Sequence, residues 1–208
     1  MSDITFYTNP QSRGQIVHWL LEELGVPYDT KWIDYVEQMK SAEYLAVNPM
    51  GKVPAIKHRN SVVTEVAAIC TYLAISFPEK GLVPEAGDPE LANFYRWMFF
   101  AAGPLEMATT VKTVGWEASP EQSRSLGYGT YDDTLSAIEL ALADGPYICG
   151  EQFTAVDVYL GSALHWGMLF GGVEKRPQFE EYAARLQTRP AAKRCQQLNE
   201  EYMKSLET

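Results

Sequence analysis

Several things are scarce or missing from this chain, and each absence removes a class of function. Cys70, Cys149 and Cys195 are the only cysteines, widely scattered and with no C-x-x-C pair. A zinc ribbon or a self-contained dithiol centre needs closely set thiols, so neither is indicated. An odd, dispersed set of thiols fits a reducing compartment. No run of Lys and Arg occurs, and the formal net charge is −10. A surface that follows nucleic-acid phosphates needs clustered cations, so nucleic acid is not an expected partner. No apolar run approaches the roughly 20 residues of a membrane-crossing helix. The opening Met1-Ser2-Asp3-Ile4-Thr5 lacks the basic start and apolar stretch of a secretory signal. A cytoplasmic protein that does not engage membranes is the expectation. His18, His58 and His165 share no metal-ligand spacing, and no G-x-S-x-G elbow or Walker loop is present. A metal site, a serine-hydrolase triad and a nucleotide-phosphate cradle are therefore disfavoured.

What is there is ordinary globular composition, 46% hydrophobic and 21% charged over 208 residues, enough for two modest domains. Ile4 to Tyr7 reads as a strand. From Arg13 the pattern turns helical, with Ile16, Leu20 and Leu24 at four-residue spacing and Val17 and Leu21 widening the stripe. Gly25 and Pro27 stop that helix. Tyr28 to Ile33 suits a strand, and a short helix is expected around Ser41 to Ala46. Val53 to Lys57 and Val62 to Thr64 read as strands joined at His58-Arg59-Asn60, and a helix follows from Glu65 to Ser76. The order β-α-β-α-β-β-α suits one sheet with helices packed on it.

The stretch 78–89 holds three prolines and two glycines, a linker composition. Beyond it strand signals vanish. Helices are expected over Glu90–Val114, Glu121–Ala143, Ala155–Phe170, Gln178–Gln187 and Ala191–Ser205. Gly103-Pro104 should kink the first. The expected organisation is α/β plus all-α: a domain over 1–77, a linker over 78–89 and an all-helical bundle over 90–208.

The most specific string is Asn48-Pro49-Met50-Gly51-Lys52-Val53-Pro54, followed by Thr64-Glu65-Val66-Ala67-Ala68-Ile69. With the opening strand, the Pro10-Gln11-Ser12-Arg13 loop, Leu20-Leu21-Glu22-Glu23-Leu24-Gly25 and the downstream Pro146 to Thr154 segment with Asp157, the sequence resembles the cytosolic glutathione transferases, in their bacterial, serine-like form. The resemblance implies an N-terminal thioredoxin-like domain that holds glutathione as co-substrate, and a homodimer acting on small apolar electrophiles.

It also implies roles for particular residues. Only X-Pro bonds have a cis form of low enough cost for routine use, and the resemblance makes Val53-Pro54 cis, with Val53 N–H and C=O pairing with the cysteinyl backbone like an added strand. The alternative is a trans proline opening a strand. Glu65 and Val66 stand where a strand passes into a helix, and free amides there attract a carboxylate. The family uses that spot for the γ-glutamyl end, with Glu65 taking the amine; Val66 replaces the usual Ser, losing a hydroxyl but keeping the amide. Glu65 as a simple first-turn acid is the other reading. Lys52 and Arg13 are candidates for a ligand carboxylate, or are surface cations.

The chemistry needs a thiolate. A free thiol has a pKa near about 8.5, and favouring its thiolate a further hundredfold takes about 2.7 kcal/mol of preferential stabilisation. Ser12, just before the first helix and two residues after Pro10, is the first candidate to donate a hydrogen bond to the sulfur, as in the delta-type members. The same residue suits an ordinary helix N-cap. Tyr7 and Asn9 are alternatives, because counting four back from Arg13, as in tyrosine-type members, lands on Asn9.

Three further features read structurally. Thr154-Ala155-Val156-Asp157 has capping-box form, which makes Asp157 a folding residue. Tyr95, Trp97, Met98, Phe99 and Phe100 are expected to be mostly core, with one or two facing a pocket. Tyr128 is ambiguous in the same way. The function expected is a glutathione transferase, with peroxide or disulfide reduction as related activities. The alternative is a non-catalytic interaction module on the same fold.

Overall fold

The computed structural model describes residues 2–206. They form two compact units, one of residues up to Lys80 together with the stretch from Thr188, the other Gly81–Gln187.

The first unit begins with β1 (Ile4–Thr8), α1 (Gly14–Leu24), β2 (Asp29–Trp32) and α2 (Ala42–Leu45). It continues with β3 (Ala55–His58), β4 (Ser61–Thr64) and α3 (Val66–Ser76). The sheet runs β2-β1-β3-β4, with β1 parallel to β2 and the other neighbours antiparallel. Along β1 the side chains alternate, as the pleat requires, so Ile4, Phe6 and Thr8 are buried while Thr5 and Tyr7 are half-buried on the other face. α1 buries Ile16, Val17, Leu20, Leu21 and Leu24 and ends at Gly25, whose φ of 61° lets its N–H reach Leu21 C=O at 3.0 Å. A 3₁₀ turn at Pro78–Lys80 ends this part of the unit.

The last helix, α10 (Pro190–Ser205), differs from expectation: it belongs with the first unit, not with the helical bundle of 90–208. The contacts explain why. Arg189 donates to both carboxylate oxygens of Glu23 of α1, from Nε at 2.7 Å and Nη2 at 2.8 Å, and Tyr202 stacks on Trp32 of β2 with ring centroids 4.0 Å apart. Buried Asn199 meets buried His18 of α1 at 3.4 Å, and His18 meets Tyr28 at 2.9 Å. Amphipathic spacing announces a helix with an apolar face, but not the surface that face will cover.

The second unit is helical, with α4 (Glu90–Phe100), a π turn (Ala101–Leu105), α5 (Glu106–Val114), α6 (Pro120–Ser123), α7 (Tyr131–Ala141), α8 (Ala155–Phe170) and α9 (Pro177–Gln187). The disturbance expected at Gly103-Pro104 coincides with that π turn, which accommodates the missing amide of Pro104. The single helix expected over Glu121–Ala143 is two, parted at Gly127-Tyr128-Gly129. Thr130 restarts the chain as a new N-cap, its hydroxyl accepting from Asp133 N–H at 3.1 Å. The proline-rich stretch is tied down rather than loose: Leu82 is buried, and its carbonyl accepts from Ala155 N–H at 2.8 Å.

The aromatic group on α4 divides more evenly than expected. Trp97 and Met98 are buried, Phe100 is half-buried against Trp97, and Tyr95 and Phe99 are exposed, Phe99 at 69%. Tyr128 is core, packed with Ala108 and Val111. Asp157 is wholly buried and accepts from Ile148 N–H (2.9 Å), Thr154 N–H (2.7 Å) and Tyr182 O–H (2.7 Å), so it organises the start of α8. Among the described residues, no helix is long and apolar enough to cross a membrane.

Candidate functional site

Strand register gathers the candidate residues at one end of the sheet. Tyr7 lies opposite Ala55, and Ala55 lies opposite Thr64. The segment entering β3, Lys52-Val53-Pro54, therefore runs between the end of β1 and the junction of β4 with α3. The β1–α1 loop, Asn9 to Arg13, leaves from the same end.

The Val53-Pro54 bond is cis. Pro54 is buried and Val53 half-buried. Among the described residues, no hydrogen bond engages the N–H or the C=O of Val53. A half-buried pair of backbone groups left open in this way is unusual, since chains almost always pair them. The carbonyl one residue earlier is doubly engaged: Lys52 C=O accepts from Tyr44 O–H at 2.6 Å and from Asn48 Nδ2 at 2.8 Å. The Lys52 side chain is exposed.

Glu65 precedes α3 with φ 67° and ψ 124°, a conformation L-residues rarely hold, and its side chain is exposed. Strain of this kind costs on the order of 1–3 kcal/mol and persists where its surroundings demand it. Its carbonyl accepts from Ile69 N–H at 2.8 Å, which starts the helical ladder and leaves the first-turn amides of Val66, Ala67 and Ala68 without intrahelical partners. The Val66 side chain is buried and serves the core.

The three candidates for the sulfur contact differ in what their polar atoms already do. Asn9 is spent within the loop: its Nδ2 donates to Ile33 C=O at 2.9 Å and its Oδ1 accepts from Gln11 N–H at 2.9 Å. The Ser12 hydroxyl donates to Asn9 C=O at 2.6 Å and accepts from Gly14 N–H at 2.9 Å, so it shapes the entry to α1. The Tyr7 ring packs with Val53 against Ile33, Met39 and Tyr44, its centroid 5.8 Å from that of Tyr44. Among the described residues, no hydrogen bond engages its hydroxyl. Arg13 is exposed at the start of α1. Gly14 lies so close to Thr8 that a Cβ there would sit 2.0 Å from Thr8 Oγ1, which keeps the loop tight against β1.

Sequence reasoning missed Tyr44 and Lys40 as members of this region, and named Asn48 only as the start of the motif string, without its contact to Lys52 C=O. Lys40 Nζ donates to Met50 C=O at 2.8 Å and crowds Gly51. Asn48 carried a signal: Asn before Pro initiates turns, and its Oδ1 accepts from Met50 N–H at 3.1 Å. Tyr44 carried none, because a buried Tyr in a four-residue helix looks like any core aromatic. Burial, and then the nearby Tyr7, push the Tyr44 phenol up to about 12, so it is protonated and able to donate at neutral pH.

A four-stranded mixed sheet with flanking helices and an open cis-proline segment, followed by a helical unit, defines a thioredoxin-like domain joined to an all-helical one. Comparison with known proteins gives the family. The model of the glutathione S-transferase N-terminal domain matches residues 12–74 and that of the C-terminal domain residues 121–185, together more than half of the chain. Glutathione S-transferase A of Pleuronectes platessa is 28% identical over 186 residues, covering 84% of this chain and 82% of that protein. A glutathione transferase from Methylococcus capsulatus str. Bath superposes with a TM-score of 0.77 at 28% identity, over 94% of this chain and 98% of that one. A glutathione transferase homologue from Sulfitobacter, with bound glutathione, gives 0.74 at 25% identity, over 95% and 98%. The chain belongs to the glutathione S-transferase family.

Proposed function

We propose that the chain is a glutathione transferase, binding glutathione along Lys52-Val53-Pro54 and presenting its sulfur, as thiolate, to a small apolar electrophile. The observation that carries this reading is the open backbone of Val53 beside the cis bond, at the same sheet end as the strained Glu65. The cysteinyl N–H and C=O of glutathione pair with Val53 C=O and N–H as a short added strand. The γ-glutamyl carboxylate meets the first-turn amides of α3, where the helix dipole favours negative charge, and its amine meets the Glu65 carboxylate. Lys52 and Arg13 serve the glycyl end.

For the sulfur contact we infer Tyr7 in preference to Ser12, because the Ser12 proton is already given to Asn9 C=O while the Tyr7 proton is uncommitted. A phenol donating to sulfur favours thiolate over thiol. The thiol proton leaves to solvent, and the sulfur lone pair attacks the electrophile. The nucleophile arrives with the co-substrate, so the protein contributes positioning and thiolate stabilisation. The same thiolate serves reduction of a peroxide or disulfide, and product analysis distinguishes these from conjugation. A cytoplasmic homodimer accompanies this reading, with sedimentation testing the dimer.

An ultraviolet difference titration of glutathione with the protein tests the reading. The expected result is a saturable thiolate band with apparent pKa well below the free value of about 8.5. Tyr7→Phe should move that pKa back toward the free value while Ser12→Ala leaves it nearly unchanged; the reverse pattern assigns the contact to Ser12. No thiolate band, and no heat of binding at millimolar glutathione, would sink the enzyme reading.

A further inference from the structure

We propose that Tyr44 and Asn48 are positioning residues that turn the Val53 amide toward the ligand by holding the preceding carbonyl. The inference rests on the glutathione reading above and deepens it.

Val53-Pro54 is the cis bond, so the Lys52–Val53 peptide is trans, and in a trans peptide C=O and N–H point in opposite directions. Lys52 C=O is held by Tyr44 O–H at 2.6 Å and Asn48 Nδ2 at 2.8 Å, and both donors belong to buried side chains. A carbonyl has two lone pairs, and here both are occupied from the protein side. The Val53 N–H must then point away from those donors. The residue before a proline is also confined to extended backbone, where its own N–H and C=O project to the same side. One clamp on one carbonyl therefore aims both polar groups of Val53.

The clamp itself is braced. Asn48 C=O accepts from Gly51 N–H at 2.8 Å, and Asn48 Oδ1 accepts from Met50 N–H at 3.1 Å, closing the turn that carries Lys52. Tyr44 N–H is held by Ser41 Oγ at 3.2 Å, which sets the start of α2. The Val53 side chain packs on the cluster of Ile33, Met39 and Tyr44, on which the Tyr7 ring also rests. The first contact of the γ-glutamyl-cysteinyl unit is thus prepared before any ligand arrives. A ligand that pairs with a fixed amide gives up less free energy to ordering than one that must turn the peptide itself.

The test uses ¹⁵N-labelled full-length protein titrated with glutathione, reading the dissociation constant and the Val53 amide. In the free wild type the Val53 amide should exchange rapidly with solvent, and bound glutathione should protect it and shift it at saturation. Tyr44→Phe removes one donor and keeps the ring. It should weaken glutathione about five- to tenfold and reduce the Val53 shift at saturation, while the amides of β1 and α1 keep their wild-type positions. Wild-type affinity with a full Val53 shift in Tyr44→Phe overturns the positioning role and leaves glutathione binding intact. A Val53 amide already protected in the free wild type overturns it without any variant. A wild type in which glutathione moves no amide at this end of the sheet removes the parent reading, and the inference with it.

Discussion

Glu65 offers a direct test of stored backbone strain. Its φ of 67° and ψ of 124° place a bulky residue where L side chains are rarely found. Such strain costs on the order of 1–3 kcal/mol, whereas glycine, with no Cβ, adopts positive φ freely but loses about 0.5–1 kcal/mol more chain entropy on folding. Replacing Glu65 by Ala retains the strain, and replacing it by Gly relieves it. Both substitutions remove the same acidic side chain at the N-cap of α3, worth about 0.3–1 kcal/mol at a helix start, so that loss cancels between them. Glu65→Gly should therefore be more stable than Glu65→Ala by about 1 kcal/mol, the reverse of the usual order of these two residues in helical segments. In a chain of 208 residues this difference corresponds to about 2–4 °C in melting temperature. Calorimetry on the two variants at one pH and one scan rate reads it. An Ala variant as stable as the Gly variant, or more so, refutes the argument, because the backbone would then be at ease as it stands. On the proposed function both variants bind glutathione more weakly than wild type, so the Gly variant is stabilised at the strained position while losing affinity.

Other perturbations follow from single contacts. Asp157→Ala leaves the donors of Ile148, Thr154 and Tyr182 unpaired in a buried site, and should cost about 3 kcal/mol or more in urea unfolding; a loss under about 1 kcal/mol contradicts the role given to it. Gly14→Ala drives a Cβ into Thr8 Oγ1 and should cost about 1–3 kcal/mol, with denaturant midpoints as the measure. Burial holds the His18 imidazole below its ordinary value of 6.5, against the opposing influences of Asn199 and Glu22. The unfolded chain then binds the proton more readily, so this contribution is complete above pH about 6.5 and declines as the pH falls. Unfolding free energy measured across that range should slope downward toward acid, and His18→Gln should flatten the slope; an unchanged slope assigns the acid sensitivity elsewhere.

The parts of the site visible in the sequence are those written in residue type. Val53-Pro54 announces a candidate cis bond because only proline makes one cheap, and Asn48-Pro49 announces a turn. Gly25 and Thr154-x-x-Asp157 mark helix ends through chemistry that few other residues share. What was hidden lies in direction rather than type. No composition signals that Glu65 adopts positive φ, since that is imposed by the strand before it and the helix after it. Nor does it reveal that the Ser12 proton goes to Asn9, or that Tyr44 reaches Lys52 C=O from a short helix, because those are facts of loop geometry. The break between α6 and α7 was underestimated because Glu121–Ala143 carries helical residues on both sides of Gly127-Tyr128-Gly129, and the Thr130 cap that decides the matter is a single hydroxyl.

The return of α10 to α1 has a consequence for how the chain comes into being. The sheet and its helices are complete by Ser76, yet Glu23, His18 and Trp32 find their partners only at Arg189, Asn199 and Tyr202. During synthesis the first unit must wait, with one face of α1 uncovered, while the intervening hundred-odd residues are added. The second unit is continuous in sequence and can close on itself as soon as Gln187 emerges. On the ribosome, where domains tend to fold in order of appearance, this chain should finish its middle before its beginning.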